Sequence, residues 1–291
     1  MHRALRWLRN ALALLVVLLV VAAATVYGLS ERILRRTYDE PLVAVAVPDD
    51  SASIAEGGRL ALVHGCRGCH QPDLSGQYFE DDFLIGRIVA PSLTLAAQKY
   101  SDGELARIIR RGVRPDGQSV QVMPSEMFAP LTDADLGMII AYLRSVSPPA
   151  GLPRTIKPGP LARLGLVTGG YSSTTAYVRR ADSISASGYF PVGDQPNARG
   201  AYLARTSCPE CHNLALQGYA GDTPDLGIAA GYTPEQFAHF FKTGEALGGR
   251  ELTLMSDMAR NRFSNFTDAE RDSLYAYLIA RARAIQGAAA P

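Results

Sequence analysis

The chemistry open to this chain is concentrated in two short segments, GCRGCHQ (65–71) and SCPECHN (207–213), which share the spacing C-x-x-C-H. The chain has only four cysteines and five histidines, and these two pentapeptides use every cysteine. A spacing that recurs in this way is a strong signal for a common chemical role. The residues concerned are Cys66, Cys69, His70, Cys208, Cys211 and His212.

Three kinds of chemistry compete for these residues. A redox dithiol uses C-x-x-C but does not need a histidine directly after the second cysteine. A single zinc site of four thiolates has to join cysteine pairs 142 residues apart and ignores both histidines. Haem attachment uses every residue, because two thiols form thioethers with the haem vinyl groups and the adjacent imidazole reaches the iron. We therefore interpret each pentapeptide as a c-type haem attachment site, with His70 and His212 as proximal iron ligands.

In these segments the chain resembles the c-type cytochromes. The resemblance covers residues 55–146 and 197–283, and it implies two covalently attached c-type haems, one-electron transfer and no catalytic residue. In that family a loop proline accepts a hydrogen bond from the proximal histidine, and Pro91 and Pro224 match its position. A purely conformational role for these prolines fits the sequence equally well.

The resemblance also calls for a methionine on the far side of each iron. The segment VMPSEMF contains Met123 and Met127, and Met123 followed by proline is similar to the ligand motif of the family. The segment LTLMSDMARNRF contains Met255 and Met258. Counting from the preceding helix end favours Met255, whereas counting back from the next helix cap favours Met258. We predict Met123 and Met255, because the sequence around Met255 resembles the family version in which the first methionine binds iron.

An apolar segment near the N-terminus predicts a membrane helix. Arg3, Arg6 and Arg9 precede an uncharged run of 19 residues, 11–29, which spans about 28 Å as a helix and so matches a bilayer core of about 30 Å. A cleaved signal peptide is the alternative, since 22–24 reads Ala-Ala-Ala. We favour a retained anchor, because the apolar run continues past that site.

The sequence around the two pentapeptides repeats one helical pattern. YSDGELARIIRRG from Tyr100 matches YTPEQFAHFFKTG from Tyr232, and each begins with a capping box and ends at a glycine. LTDADLGMIIAYLRS then matches FTDAERDSLYAYLIAR. We predict an all-α fold with two haem domains joined by a proline-rich linker. Its parts are an N-terminal transmembrane helix at 1–30, a cytochrome c domain at 50–147, the linker at 148–195 and a second cytochrome c domain at 196–285.

The charge of the chain argues against one class of partner, nucleic acid. Net charge is only +1 and the charges are dispersed, so there is no broad basic surface and we expect no nucleic-acid binding. His64 and His239 are expected at surface positions rather than as ligands.

Haem is attached in bacteria on the outer side of the energy-conserving membrane, so the resemblance implies an inner-membrane protein with one span and periplasmic haem domains.

The resemblance is strongest to the membrane-bound cytochrome subunits of periplasmic alcohol or sugar-acid dehydrogenases. It implies an electron carrier that is not itself an enzyme. The expected donor is a periplasmic dehydrogenase or a quinol-oxidising complex, and the expected acceptor is a terminal oxidase or a soluble cytochrome. Two alternatives stay open: a dihaem peroxidase with one open iron, and the dihaem electron-entry subunit of a terminal oxidase.

Overall fold

The computed structural model describes residues 2–147, 151–186 and 198–288. It begins with α1 (His2–Leu34), a continuous helix that is long and apolar enough to cross a membrane. Its apolar side chains are exposed over the whole span rather than packed into the protein. The predicted N-terminal apolar helix is therefore present, and it extends five residues beyond Leu29.

A first set of helices, called the N-terminal unit below, occupies residues 51–145. Its helices are α2 (Ser51–Val63), α3 (Cys66–Cys69), α4 (Leu93–Lys99), α5 (Asp102–Arg111), α6 (Ser125–Phe128) and α7 (Asp133–Ser145). Helices α2 and α7 cross at Gly57, where a Cβ atom would lie 1.9 Å from the carbonyl oxygen of Met138. This crossing is too close for any side chain, so glycine is required there. The predicted capping box of α5 is confirmed at Ser101 and Glu104.

A three-stranded sheet and, later in the chain, a two-stranded hairpin depart from the all-α prediction, which is therefore incomplete for a mostly helical chain. The strands of the larger sheet come first. They are β1 (Gln77–Asp82), β2 (Gly86–Ala90) and β3 (Thr155–Pro158), antiparallel in that order. The first two form a hairpin inside the loop that follows α3, and the third comes from the proline-rich segment. A proline-rich chain is already extended, and the free edge of a hairpin offers unpaired backbone groups, so the ladder forms readily.

The chain after β3 is also folded rather than a simple linker. Helix α8 (Pro160–Thr168) packs against α1, and α9 (Thr174–Ala186) packs against α5 and α6. The described part of the predicted linker therefore belongs to the structure around the N-terminal unit. The sequence did not indicate this, because these residues match neither repeat. The rest of that linker, 148–150 and 187–195, lies outside the described residues.

A second set of helices, called the C-terminal unit, occupies residues 198–288. Its elements are α10 (Ala198–Ser207), α11 (Pro209–His212), α12 (Pro234–Thr243), α13 (Thr253–Asn261) and α14 (Asp268–Ala288), with 3-10 turns at 226–231 and 263–265 and a short hairpin of β4 (Glu245–Ala246) and β5 (Arg250–Glu251). Helices α10 and α14 cross at Gly200, where a Cβ atom would lie 2.0 Å from the carbonyl oxygen of Ser273. The two units therefore share the same close helix crossing.

The two units touch along the helices that lead into the pentapeptides. Val63, the last residue of α2, is buried in the hydrophobic core of the C-terminal unit. Tyr202 on α10 packs against the cores of both units, and its hydroxyl donates a hydrogen bond of 2.5 Å to the carboxylate of Asp135 on α7. The units are thus joined through the helices on which the pentapeptides depend.

Candidate haem sites

Both pentapeptides form one short helical turn directly after a longer helix. In the N-terminal unit this turn is α3, which follows α2 after Gly65, a glycine with φ of 77°. In the C-terminal unit α11 follows α10 without such a break. After each histidine the backbone takes a positive φ, 69° at Gln71 and 55° at Asn213. These turns end each pentapeptide in the same way, so both histidines leave the helix in comparable surroundings.

A backbone carbonyl fixes the orientation of each pentapeptide histidine. Nδ1 of His70 lies 2.7 Å from the carbonyl oxygen of Pro91, and Nδ1 of His212 lies 2.8 Å from that of Pro224. A carbonyl oxygen only accepts hydrogen bonds, so each Nδ1 carries the proton and each Nε2 keeps a free lone pair. Burial lowers the pKa of both imidazoles, which keeps them neutral at pH 7. A neutral imidazole with free Nε2 is the form that binds iron.

The thiols of the two pentapeptides differ from those of a reactive dithiol. None of the four cysteines forms a disulfide. Burial raises the pKa of Cys66 to about 11 and that of Cys208 to about 12, the opposite of the lowered pKa of a reactive dithiol. Within the described parts of the chain, no three His, Cys, Asp or Glu side chains come together in a group that could hold a metal ion. The donor set of each pentapeptide therefore fits a covalently attached haem.

The two methionines of the first site, Met123 and Met127, have different surroundings. Met127 is buried in the core of the N-terminal unit, and its sulfur lies 4.0 Å from Nη2 of Arg262 in the C-terminal unit. Met123 is only partly buried at the edge of the same core, and its carbonyl accepts a hydrogen bond of 2.9 Å from Thr174 on α9. The sulfur of Met127 is thus turned towards the contact between the units, which favours the prediction of Met123 as ligand.

The two methionines of the second site, Met255 and Met258, have similar surroundings. Met255 and Met258 lie on α13, and both are partly buried against the core of the C-terminal unit. Residues three apart on a helix share a face, so either sulfur is available on the same side of α13. The choice of Met255 stays a prediction.

Arg262 joins the two attachment segments, and no local pattern in the sequence indicates this role. Its side chain is only 8% exposed. Nε donates a hydrogen bond of 2.6 Å to the carbonyl of Val63, just before the first pentapeptide, and Nη2 donates one of 3.3 Å to the carbonyl of Ser207, just before the second. Nη1 lies 3.1 Å from the carboxylate of Glu210 inside the second pentapeptide. One guanidinium group therefore holds the approaches to both sites.

An ion-pair network forms a second connection between the units. Glu270, in the capping box of α14, receives hydrogen bonds of 2.8 Å from Arg59 on α2 and 2.7 Å from Arg199 on α10. Burial disfavours its charged form, but the hydrogen bonds from Arg59, the Thr267 amide and Arg199 outweigh it and lower the pKa of Glu270 to about 2. The carboxylate is therefore ionised at neutral pH and ties α2 to the C-terminal unit.

One histidine contradicts its expected surface position. His64 is only 2% exposed, and its Nδ1 lies 3.1 Å from the carbonyl oxygen of Thr206 across the contact between the units. Burial lowers the pKa of His64 to about 4, so the ring is neutral. The sequence did not indicate this burial, because it arises from the packing of one repeat against the other. His239 is exposed, as predicted, and lies 3.4 Å from Glu245.

Comparisons with known proteins agree with this arrangement. The family model of cytochrome c matches residues 54–147, and the model described as cytochrome c oxidase, cbb3-type, subunit III matches residues 195–278. The chain therefore contains two cytochrome c domains, a class defined by covalently bound haem c. The chain is also similar to the fructose dehydrogenase cytochrome subunit of Gluconobacter japonicus, with 26% identity over 88% of this chain. It spans 58% of the length of that relative.

Proposed function

We propose that this protein is a membrane-anchored dihaem cytochrome c that transfers single electrons between a periplasmic donor and a respiratory acceptor. The observation that carries this proposal is the duplicated arrangement of a C-x-x-C-H turn and a neutral histidine whose Nδ1 is held by a proline carbonyl. The same arrangement in both units favours two equivalent haem sites.

The residues of each site have separate roles in the proposed function. Thioethers from the pentapeptide cysteines hold the haem, and the carbonyls of Pro91 and Pro224 fix the histidine tautomer. When bound, the haem iron supplies a one-electron couple. His70 with Met123 would hold the iron of one haem, and His212 with Met255 would hold the iron of the other. An iron held by both side chains would have no place for a substrate, and a methionine ligand would raise its reduction potential, so such sites would suit electron transfer.

A substitution of Met123 tests the proposed ligation. Met123→His should lower the reduction potential of one haem while both remain attached, because an imidazole replaces a thioether that favours ferrous iron. The matched variant Met127→Leu should leave both potentials unchanged, since its sulfur is turned towards Arg262. A redox titration followed by absorption measures both. A shift with Met127→Leu and none with Met123→His would reject the assignment.

The proposed donor is a periplasmic dehydrogenase. The relative from Gluconobacter japonicus is named as the cytochrome subunit of a fructose dehydrogenase, and the resemblance in motifs points to dehydrogenases of the same general kind. The protein would be anchored by α1 in the bacterial inner membrane with both haem domains in the periplasm, and would pass electrons to a terminal oxidase or a soluble cytochrome. A quinol-oxidising complex is the alternative donor.

A second candidate function is supported by the match at 195–278, whose model is described as a subunit of a cytochrome oxidase. In that case the protein would be the dihaem electron-entry subunit of a terminal oxidase. Gentle solubilisation and identification of the copurifying protein separate the two candidates. A dehydrogenase subunit supports the first function, and an oxidase subunit supports the second. A peroxidase would instead need one iron without a methionine ligand. The redox titration of Met123→His tests this for the first site, and the sulfur-to-iron absorption of the ferric haem tests it for the second.

A further inference from the structure

The body of the protein is fixed to α1 at the level where its apolar span ends. Arg163 on α8 donates hydrogen bonds of 2.9 Å to the hydroxyl of Ser30 and 3.2 Å to the carboxylate of Glu31. Its guanidinium group also lies 4.1 Å from the ring centre of Tyr27. Tyrosine is enriched at the boundary between lipid and water. Helix α8 and strand β3 before it therefore lie beside the membrane surface if α1 spans the bilayer.

A polar cavity lies between this end of α1 and β3. Its volume is about 460 Å³, and its basic lining residues are Arg35, Arg154, Lys157 and Arg163. Glu31 is the acidic residue in the lining, and its carboxylate is already bound by Arg35 at 2.7 Å and by Arg163 at 3.2 Å. Four positive charges and one negative charge leave a clear excess of positive charge in this cavity.

Two of the four basic side chains, both of them exposed, form no ion pair within the described parts of the chain. Neither Arg154 nor Lys157 has an ion-pair partner there. Desolvation and the nearby charge of Arg114 lower the pKa of Arg154 to about 10, and the carboxylate of Asp116 offsets this only in part. Lys157 lies directly opposite Arg87 in the ladder of β2 and β3, and Arg87 is itself bound by the carboxylate of Asp81 on β1 at 2.8 Å, so that carboxylate is already engaged. An excess of positive charge at this place favours the binding of an anion.

The cavity lies at the depth of lipid headgroups. From Leu29 to Arg35, α1 rises about 9 Å, and the headgroup layer on each side of a bilayer is about 5–8 Å thick. Exposed apolar side chains also gather next to the cavity: Phe83 is 83% exposed at the tip of the hairpin, and Leu161 is 50% exposed at the start of α8. The two are adjacent, because the amide of Leu161 donates a hydrogen bond of 2.9 Å to the carbonyl of Leu84. Such side chains suit a position against lipid.

From this geometry we propose that the cavity between α1 and β3 binds the phosphate of an anionic lipid headgroup, with Arg154 and Lys157 as the residues that contact it. The proposal rests on α1 spanning the membrane and is independent of the haem chemistry. The bound lipid would fix the orientation of the N-terminal unit against the bilayer, because one wall of its site is α1 and the other is β3, which is paired to the hairpin of that unit.

The test uses the full-length protein with haem in non-ionic detergent micelles. Dioctanoyl phosphatidylglycerol is titrated and the bound lipids are counted by native mass spectrometry, with dioctanoyl phosphatidylcholine and glycerol phosphate as comparison ligands. We expect one phosphatidylglycerol bound more tightly than either. The double variant Arg154→Gln/Lys157→Gln should weaken that binding about thirtyfold, since each basic residue near anionic lipid contributes a factor of about five. The control Arg250→Gln/Arg283→Gln, which removes the same charge from exposed positions elsewhere, should bind as the wild type does.

Three results would overturn the proposal. They are equal binding of phosphatidylcholine, equal binding of glycerol phosphate, which would mean a site for soluble phosphates, and unchanged binding by the double variant. The micelle titration does not depend on how the protein is located in the cell. A chain found in the soluble fraction after lysis would instead contradict the membrane anchor. A low haem content would contradict the proposed electron transfer. Failure of the lipid site can therefore be told apart from failure of the anchor and from failure of the proposed function.

Discussion

The two units of the protein hold their histidines in the same way but differ in what surrounds them. In the N-terminal unit Pro91 follows His70 by 21 positions, and in the C-terminal unit Pro224 follows His212 by only 12. The longer loop holds the hairpin of β1 and β2, to which β3 is added. The chain from β3 continues into α8, which is bound to α1.

Features common to both units are the ones expected to belong to the haem sites, whereas features found around one unit have another role. The glycine crossing, the turn of the pentapeptide and the proline carbonyl are present in both units, so they are the parts that a site needs. Within the described residues, the hairpin of β1 and β2, β3 and α8 lie only around the N-terminal unit, and they connect it to α1. The cores also differ, since that of the C-terminal unit is built around stacked phenylalanines, among them Phe241 and Phe263 with ring centres 5.4 Å apart.

The largest expected effect comes from the crossing that the units share. Gly57→Ala and Gly200→Ala each place a Cβ atom within about 2 Å of a backbone carbonyl oxygen, so the helices have to separate. We expect each variant to lose about 3 kcal/mol or more of unfolding free energy. Gly231→Ala, where no atom lies within 4 Å of the added Cβ, is the control. Urea unfolding followed by circular dichroism measures all three. If only one crossing variant is destabilised, the units are not equivalent.

The next effect concerns the contact between the units. Arg262→Leu removes the charged donor from the carbonyls of Val63 and Ser207 and should cost about 3 kcal/mol, because both acceptors are left buried. Arg260→Leu is the control, since the exposed Arg260 makes a surface ion pair with Glu251 and one long hydrogen bond of 3.5 Å to the carbonyl of Thr243, and it should cost less than about 1 kcal/mol. Two separate unfolding transitions in Arg262→Leu would show that the units have become independent. Equal stability of the two variants would contradict the role of Arg262.

A smaller effect depends on pH. The folded protein lowers the pKa of Glu270 from 4.5 to about 2, so the contribution of this carboxylate is complete above pH 4.5 and is lost as the pH falls towards 2. The stability difference between wild type and Glu270→Gln should therefore shrink over this range. Asp133→Asn, which removes an exposed carboxylate from the start of α7, should differ from wild type by less than about 0.5 kcal/mol throughout. Thermal unfolding from pH 7 to pH 3 measures this, and a constant difference for Glu270→Gln would contradict it.

The smallest change in stability is expected at the second distal ligand. Met255→Leu should abolish the sulfur-to-iron charge-transfer absorption of one ferric haem, because leucine keeps most of the volume but offers no lone pair. Met258→Leu, on the same face of α13, is the matched control and should keep the band. Loss of the band only in Met258→Leu would reverse the assignment. Loss in neither would mean that the second iron is open or has another ligand, as in a peroxidase.

The helical part of the fold was predictable because its signals are local. The capping boxes at the starts of α5 and α12 and the glycines at their ends, Gly112 with φ of 66° and Gly244 with φ of 77°, lie where the repeated pattern placed them. A cap is formed by residues only three or four apart, so it can be read from the sequence directly. The attachment segments could be found for the same reason, since their residues are consecutive.

The remaining features depend on residues far apart in the sequence. The ladder between β2 and β3 joins Val89 to Thr155, and Arg262 reaches back 199 residues to Val63. Neither pairing has a local signature, and a proline-rich stretch indicates only an extended chain. The burial of His64 has the same origin, because it is covered by the other unit rather than by its own neighbours. Long-range packing therefore determines how the two predicted sites are joined.

The central claim, that the two pentapeptides each hold a covalent haem, is tested most directly by counting the haems that survive denaturation. The purified protein is extracted with acidic acetone, and the haem left on the polypeptide is measured as the pyridine haemochrome against the protein concentration. Thioether bonds do not exchange as axial ligands do, so two haems per chain should remain and the organic phase should be colourless. Haem in the organic phase, or fewer than two haems per chain, would contradict the account.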